Sequence, residues 1–345
     1  ANLHGANLSQ VDLRGADLQG IDLCGANLSR ADFSGASLKG ASLSRADLSG
    51  AQLGGLDLRG ADLLSANFGN ARLRGADLSG LDLREANLRG ADLTEANLRE
   101  ADLTSANLRE ASLRGADLSA TNLTRANLSG VDVSGARLGG TNFSEANLNG
   151  VNLGGVDFSA ADFSRVDFSG VDLSKAILRR ANLMGANLNE VDLFGQNLSD
   201  ANLREADLRK ADLREANLNR ADLGGADLTG ASIHRATRHD WRIEGVKCDY
   251  VLCDPAGQVP FPRDRNFKPG EFERWFRSLP SLSLELAPGA SGLDAVALDR
   301  AVQALNEQRP ELGLQLASFH FSGPPRARFT VLRREDGDPH LLDQI

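Results

Sequence analysis

The chain has 345 residues, 5% of them aromatic and 36 of them glycine, with a formal net charge of −9 at pH 7. No apolar run approaches the ~20 residues of a helix that crosses a membrane, no signal peptide is visible, and the acidic balance argues against nucleic acid as a direct ligand. Three cysteines (Cys24, Cys248, Cys253) do not make a disulfide framework, so a reducing, cytoplasmic setting is expected.

Cut into fives from Ala1, the sequence holds phase without insertion to Arg235, which gives 47 consecutive pentapeptides. The third position is Leu, Phe, Ile or Val in all 47, and the first is nearly always Ala, sometimes Val as at Val11 and Val131. The second is Asp 22 times and Asn 17 times; the fifth is Gly 23 times. A spacing of five fits neither the period of a helix nor that of a strand. Two apolar positions flanking one polar position describe a short extended side with its apolar residues inward. Positions four and five carry Ser, Arg, Gly, Asn and Glu, which suit a corner. Sides joined by corners wind into a coil, and coils must stack to pair their backbone groups. Val131, Val151, Val171 and Val191 recur every twenty residues, as do Phe143 and Phe163. That second period predicts four sides per coil, although Val156 and Val166 interrupt it.

Runs such as "ADLREANLNRADLGGADLTG" (Ala211 to Gly230) resemble the pentapeptide repeat family and its A(D/N)LXX consensus. The resemblance covers residues 1–235 and implies an all-β, right-handed quadrilateral β-helix. Forty-seven repeats make about twelve coils, roughly 55 to 60 Å long at ~4.8 Å per stacked strand. Burying one Leu contributes about 1.5–3 kcal/mol, whereas ordering five residues costs roughly 5–10 kcal/mol of backbone entropy. No pentapeptide folds alone; stability belongs to neighbours, and the end coils need caps. The chain opens on Ala1 in repeat phase, uncapped and without a Met, so sequence upstream of it is expected.

Departures from the repeat mark candidate sites. Ile177 stands where Asp or Asn belongs, and Met184 and Phe194 occupy fourth positions that should be polar. These three are the candidate partner-binding residues, a docking patch with Phe194 as anchor. Leu64 departs in the same way, alone. Gln196, at an inward position, is expected to bond a backbone group. Arg72 and Arg137 replace the usual Asp/Asn and are expected to pair with acidic neighbours on adjacent coils. The recurring Arg-Glu pairs, such as Arg84-Glu85, read as a solvated charged surface. Some members of the family are DNA mimics that protect a type II topoisomerase. Mimicry needs a strong acidic stripe, and the repeats mix 31 acidic with 24 basic residues, so binding and protecting or inhibiting such an enzyme is the alternative reading.

The phase fails at Arg238, where an inward Leu is due, so residues 236–245 read as a degenerate coil or linker. Residues 246–345 change grammar, with Pro, Trp and Phe, and are expected to form a small α+β capping or docking domain. "VKCDYVLC" reads as a strand and "DPAG" as a turn. "PGEFERWFRSL" reads as a helix with Phe272, Trp275 and Phe276 on one face. "SLSLEL" alternates like a strand. "GLDAVALDRAVQALNEQ" is an amphipathic helix with Leu293, Val296, Val302 and Leu305 inward, and "LGLQLASFHF" and "RARFTVLRR" form a final antiparallel pair. "RNFKPGEFERWF" resembles a tail found after the repeats of larger cyanobacterial members.

No catalytic, cofactor-binding or metal site is expected. The spacing of His234, His239, Cys248 and Cys253 is unusual for structural zinc, and no Walker or dinucleotide motif sits between a strand and a helix. The reading is a non-catalytic scaffold or linker whose partners are other proteins, subunits of a large assembly such as a cyanobacterial phycobilisome, without direct nucleic-acid binding or membrane insertion.

Overall fold

The fold is described from a computed structural model, which covers residues 2–151, 153, 155–263, 265–277, 281–285, 300, 314–320 and 326–331. The repeat builds one stacked column. Second-position residues form parallel bridges with the second position twenty residues on, from Asn2↔Asp22 through Asp102↔Asn122 to Ser232↔Leu252. Twenty residues per coil are four pentapeptide sides, the number anticipated from the Val and Phe spacing. Val156 and Val166 are not exceptions to that register; they lie on different sides from the column Val131–Val151–Val171–Val191.

The pentapeptide beginning at Ala101 shows why this backbone closes. Leu103 N–H donates to Asn122 O (2.7 Å), Ser105 N–H to Thr124 O (2.8 Å), and Asn122 N–H, in the coil above, to Ala101 O (2.9 Å). Ala106 N–H closes the corner onto Leu103 O at 2.9 Å. The remaining fourth-position N–H, on Thr104, is taken by Asp102 Oδ1 at 3.0 Å. Every N–H of the unit therefore has a partner, which a column of short sides requires. The second-position side chain is an outward group and also the acceptor that completes the corner, which is why Asp and Asn, with an oxygen two bonds from Cβ, fill it. Asn adds a rung along the stack, as in Asn87 Nδ2 to Asn67 Oδ1, 2.8 Å.

The fifth residue is left-handed in coil after coil, with φ near +60° whether it is glycine or not. An L side chain there is disfavoured by roughly 1–2 kcal/mol, which explains the glycine at this position. Ala120 holds φ +58° on the outer surface and has no polar group to compensate. Ala120→Gly is expected to raise the free energy of unfolding by about 1 kcal/mol, read from urea titration by circular dichroism.

First-position Ala and third-position Leu fill the interior, most at 0–2% exposure, so the column is solid. Between residues 143 and 168 the fill becomes aromatic. Phe163 stacks on Phe143 at 5.0 Å and 10°, one coil apart, and meets Phe158 and Phe168 edge-on at 5.2 and 5.4 Å. Polar residues in inward slots reach the carbonyl of the corner beneath. Thr121 and Thr141 donate to Leu98 O and Leu118 O at 2.7 and 2.8 Å, and Gln196 Nε2 to Leu173 O at 2.7 Å, the backbone bond expected of it.

Coil pairing continues past residue 235 through Asn217↔Thr237, Asp222↔Arg242 and Asp227↔Lys247, so residues 236–245 carry the same ladder as the repeats. Strand β1 (Val251–Leu252) continues it and pairs antiparallel with β2 (Pro260–Phe261). The strand read across "VKCDYVLC" is thus only two residues long. The expected helix is present as α1 (Glu271–Arg277), with Phe272 and Phe276 buried. Strands β3 (Ser281–Glu285), β4 (Leu314–His320) and β5 (Arg326–Val331) form an antiparallel sheet in the order β3-β5-β4. Leu293, Val296, Val302 and Leu305 of the expected amphipathic helix lie outside the described residues.

Candidate interaction surface

With the interior filled, function falls to the outer surface, where the twenty-residue register fixes neighbours. Among the described residues three large apolar side chains are exposed: Ile177 at 45%, Phe194 at 49% and Val259 at 39%. Ile177 lies at the second position of a fourth side and bridges Asp157 in the coil below. Phe194 lies at the corner that opens the fourth side one coil further on, and the Arg214 guanidinium rests 5.7 Å from its ring centroid. The register places the two on adjacent coils, one along the fourth side and the other at the corner that leads into it. Met184 is half-buried and lies at the corner after a first side, diagonally across the column, so it shares no surface with them. A spacing of seven or ten residues along the chain looks close in sequence; around a four-sided coil it is up to half a turn.

Lys175, Arg179 and Arg180, absent from the candidates above, stand at the two corners bracketing Ile177 and are all exposed. The signal was present in "KAILRR", three cations around one misplaced apolar residue. Elsewhere the cations of the column are largely held. Arg14 grips Asp12 (2.9 and 2.7 Å) and Arg59 grips Asp57 (2.9 and 2.8 Å) through paired hydrogen bonds. Of the Arg-Glu neighbours read as a solvated surface, Arg109 pairs with Glu110 at 3.2 Å, whereas Arg84 turns back to Asp82 at 2.6 Å, and the Arg84, Arg109 and Glu110 side chains are each about half exposed. Arg137 meets Asp117 on the adjacent coil at 3.6 Å as expected, whereas Arg72 reaches Gln52, an amide, at 3.5 Å. Where the second residue is Asp, its carboxylate points at the fourth position, which is where most arginines stand.

These pairs set the acid response. Hydrogen bonds from Arg14, Arg59 and Arg265 hold Asp12, Asp57 and Glu271 down at about 2. A carboxyl whose folded pKa is depressed contributes stability above its unfolded value, near 4, and loses it as pH falls through the folded value. The midpoint of thermal unfolding is therefore expected to hold from about pH 7 to 5 and to fall from about pH 4 towards 2, measured by circular dichroism in matched ionic strength.

At the far end of the ladder, α1 lies against the inward residues of the last paired coil. Trp241 meets Phe272 and Phe276 at 6.2 and 5.9 Å, and Arg238, in its inward slot, places its guanidinium 4.9 Å from the Phe276 ring centroid. Burial pushes the Arg238 pKa down and that of the Cys253 thiol up to about 11. Gly245 N–H donates to Glu273 Oε1 at 2.6 Å. An arginine is tolerated where Leu was due because aromatic faces accept its charge. His234 Nδ1 is 2.9 Å from the carbonyl oxygen of Cys253, and among the described residues no three His, Cys, Asp or Glu side chains converge as metal ligands. No helix among them is long and apolar enough to cross a membrane. A groove of about 500 Å³ between Tyr250, Gln258, Pro260 and Arg263 has its Arg265 wall tied to Glu271 at 2.6 and 2.8 Å.

The model of pentapeptide repeats matches residues 1–40, 41–80, 82–119, 121–159, 161–195 and 197–235, in eight copies. The chain belongs to the pentapeptide repeat family. Among solved pentapeptide repeat structures it is similar to HetL, a protein involved in heterocyst differentiation regulation from the cyanobacterium Nostoc sp. That match has 30% identity over 74% of this chain and 91% of that one, with a TM-score of 0.24. It is also similar to QnrB1, a plasmid-mediated fluoroquinolone resistance protein (24%, 60% and 94%, TM-score 0.31). A third is a pentapeptide repeat protein of the Arabidopsis thaliana thylakoid lumen (27%, 44% and 70%, TM-score 0.17). These superpositions are too loose to carry an argument about function, and membership rests on the repeat. No curated protein matches the chain.

Proposed function

We propose that this pentapeptide repeat protein is a non-catalytic scaffold: a right-handed column of about twelve coils that holds partner proteins at fixed separation. The observation that carries the reading is the filled interior, in which Ala and Leu from all four sides are buried nearly completely from Ile21 onward. Such a core leaves no bore for a substrate and makes the rod stiff, since each coil is hydrogen-bonded to the next. The exposed pair Ile177 and Phe194 serves as one docking face, and the segment from β1 through α1 closes the column end. The setting is a large assembly, of which a phycobilisome is one instance supported by the resemblance of the tail. The arginine–aspartate pairs weigh against the alternative of a DNA mimic, because they neutralise the carboxylates that would imitate phosphates.

The test is purification of the full chain from its native cells at low salt, with mass spectrometry and sedimentation. A stoichiometric protein partner is expected. A free monomer throughout would remove the scaffold reading, and inhibition of a type II topoisomerase in a supercoiling assay would move the protein to the alternative.

A further inference from the structure

The docking face carries a charge pattern that specifies its occupant. Ile177 is flanked at one corner by Lys175 and at the other by Arg179 and Arg180, and Phe194 stands one coil above Ser174 at the Lys175 corner. Lys175, Arg179 and Arg180 are exposed, and none is within ion-pair distance of a carboxylate among the described residues. The carboxylates around them are Asp157, Asp172, Asp192 and Asp200, of which Asp192 accepts from the Phe194 backbone N–H at 2.9 Å. Asp157 lies beneath Ile177. Asp172 feels Lys175 but accepts from the backbone N–H of Ser174. Asp200 feels Arg179 and Arg180 but is held by Arg220 through two hydrogen bonds of 2.6 and 2.8 Å. On a chain of net charge −9, this is a local basic rim around two apolar anchors.

We infer that this face binds an acidic protein segment carrying apolar anchors, such as an amphipathic helix with carboxylates along one edge. The inference rests on the reading of Ile177 and Phe194 as a docking face and adds the chemistry of what docks. Apolar side chains of the partner seat on Ile177 and Phe194. Its carboxylates meet Lys175, Arg179 and Arg180, which form no ion pair among the described residues. Nucleic acid would satisfy the cations but would leave Ile177, an aliphatic side chain, without a counterpart.

The experiment uses the full chain and a fluorescein-labelled amphipathic peptide with Glu and Leu on opposite faces, followed by anisotropy. A copy with Lys for each Glu and a copy with Ser for each Leu serve as comparisons. One variant is the triple change Lys175→Glu, Arg179→Glu, Arg180→Glu; Glu190 shows that Glu is accommodated at the left-handed fifth position that Arg180 occupies. The other is Ile177→Asn with Phe194→Ala, which restores a regular second-position residue at 177. Circular dichroism establishes that each variant keeps the fold.

The acidic peptide is expected to bind wild type at least about tenfold more tightly than either comparison peptide. Charge reversal should weaken it about tenfold or more and remove its salt dependence, whereas the apolar variant should weaken it about tenfold and keep that dependence. If the apolar variant weakens binding but the Glu and Lys peptides bind alike, the docking face stands and its assigned partner chemistry is wrong. If neither variant changes binding, both readings fall. If a single-stranded oligonucleotide displaces the peptide and binds the apolar variant as well as wild type, the occupant is a phosphate backbone and the inference is overturned.

Discussion

Phe163→Ala is expected to lower the free energy of unfolding by about 3–5 kcal/mol, among the largest losses available from a single truncation in the column. Phe163 is fully buried, stacked on Phe143 and edge-on to Phe158 and Phe168. Its neighbours are rings on three sides, and rings cannot collapse into the void as a flexible Leu or Met could. Phe163→Leu, which restores the commonest third-position residue, is expected to cost less than about 2 kcal/mol. Urea titrations of both variants give the comparison; similar small losses for the two would contradict the packing described. Because each coil touches only its neighbours, hydrogen exchange should quicken in the coils spanning residues 143–183 and remain slow near Leu48 and Leu218.

The second large effect is expected at the other end of the ladder. Phe272 is 2% exposed and packs on Phe276, Phe267 and Trp241 at 4.4, 5.6 and 6.2 Å. Phe272→Asp replaces a packed ring with a carboxylate among aromatic faces, a burial that costs free energy and empties the space the ring filled. Helix α1 should leave the coil, exposing Trp241 and the backbone edge above residues 237–252. Exposed ladder groups recruit other chains, so sedimentation should show concentration-dependent association absent from wild type, and exchange should accelerate across residues 232–252. Phe272→Ala is expected to cost about 3–5 kcal/mol with weaker association, since it removes packing without adding a charge. A variant that stays monomeric with unchanged exchange would show that α1 does not close the column.

The two effects differ in what they test. Phe163 reports on how one coil rests on the next, a property shared by the whole ladder. Phe272 reports on a single junction, where regular repetition gives way to a helix. Their separation by several coils means the double variant Phe163→Ala, Phe272→Ala should show additive losses within about 0.5 kcal/mol.

Repetition made most of the architecture legible in advance. A third position that is apolar in 47 of 47 units leaves little choice but inward sides and outward corners, and the Val and Phe columns gave the four-sided register. Gln196 could be assigned a backbone partner because a buried amide requires one. Other features depended on where the coil places its neighbours. The Asp/Asn column looked like an outward polar position; only the fourth-position N–H, with no coil partner of its own, shows it to be the closing acceptor. Met184 looked adjacent to Ile177 and Phe194 until the corner count put it across the column. Lys175, Arg179 and Arg180 are ordinary charges in the chain, and that they form no ion pair among the described residues emerges only once the adjacent coils are in place. Arg238 broke the phase without ending the ladder, because Trp241 and the distant Phe276 accept its guanidinium. The local sequence determined the shape of each five-residue unit, since those dihedrals and hydrogen bonds are satisfied within it or by an identical unit twenty residues away. Which surface groups are left unpaired, and what covers the end, was decided by tertiary stacking, because both depend on residues far apart in the chain.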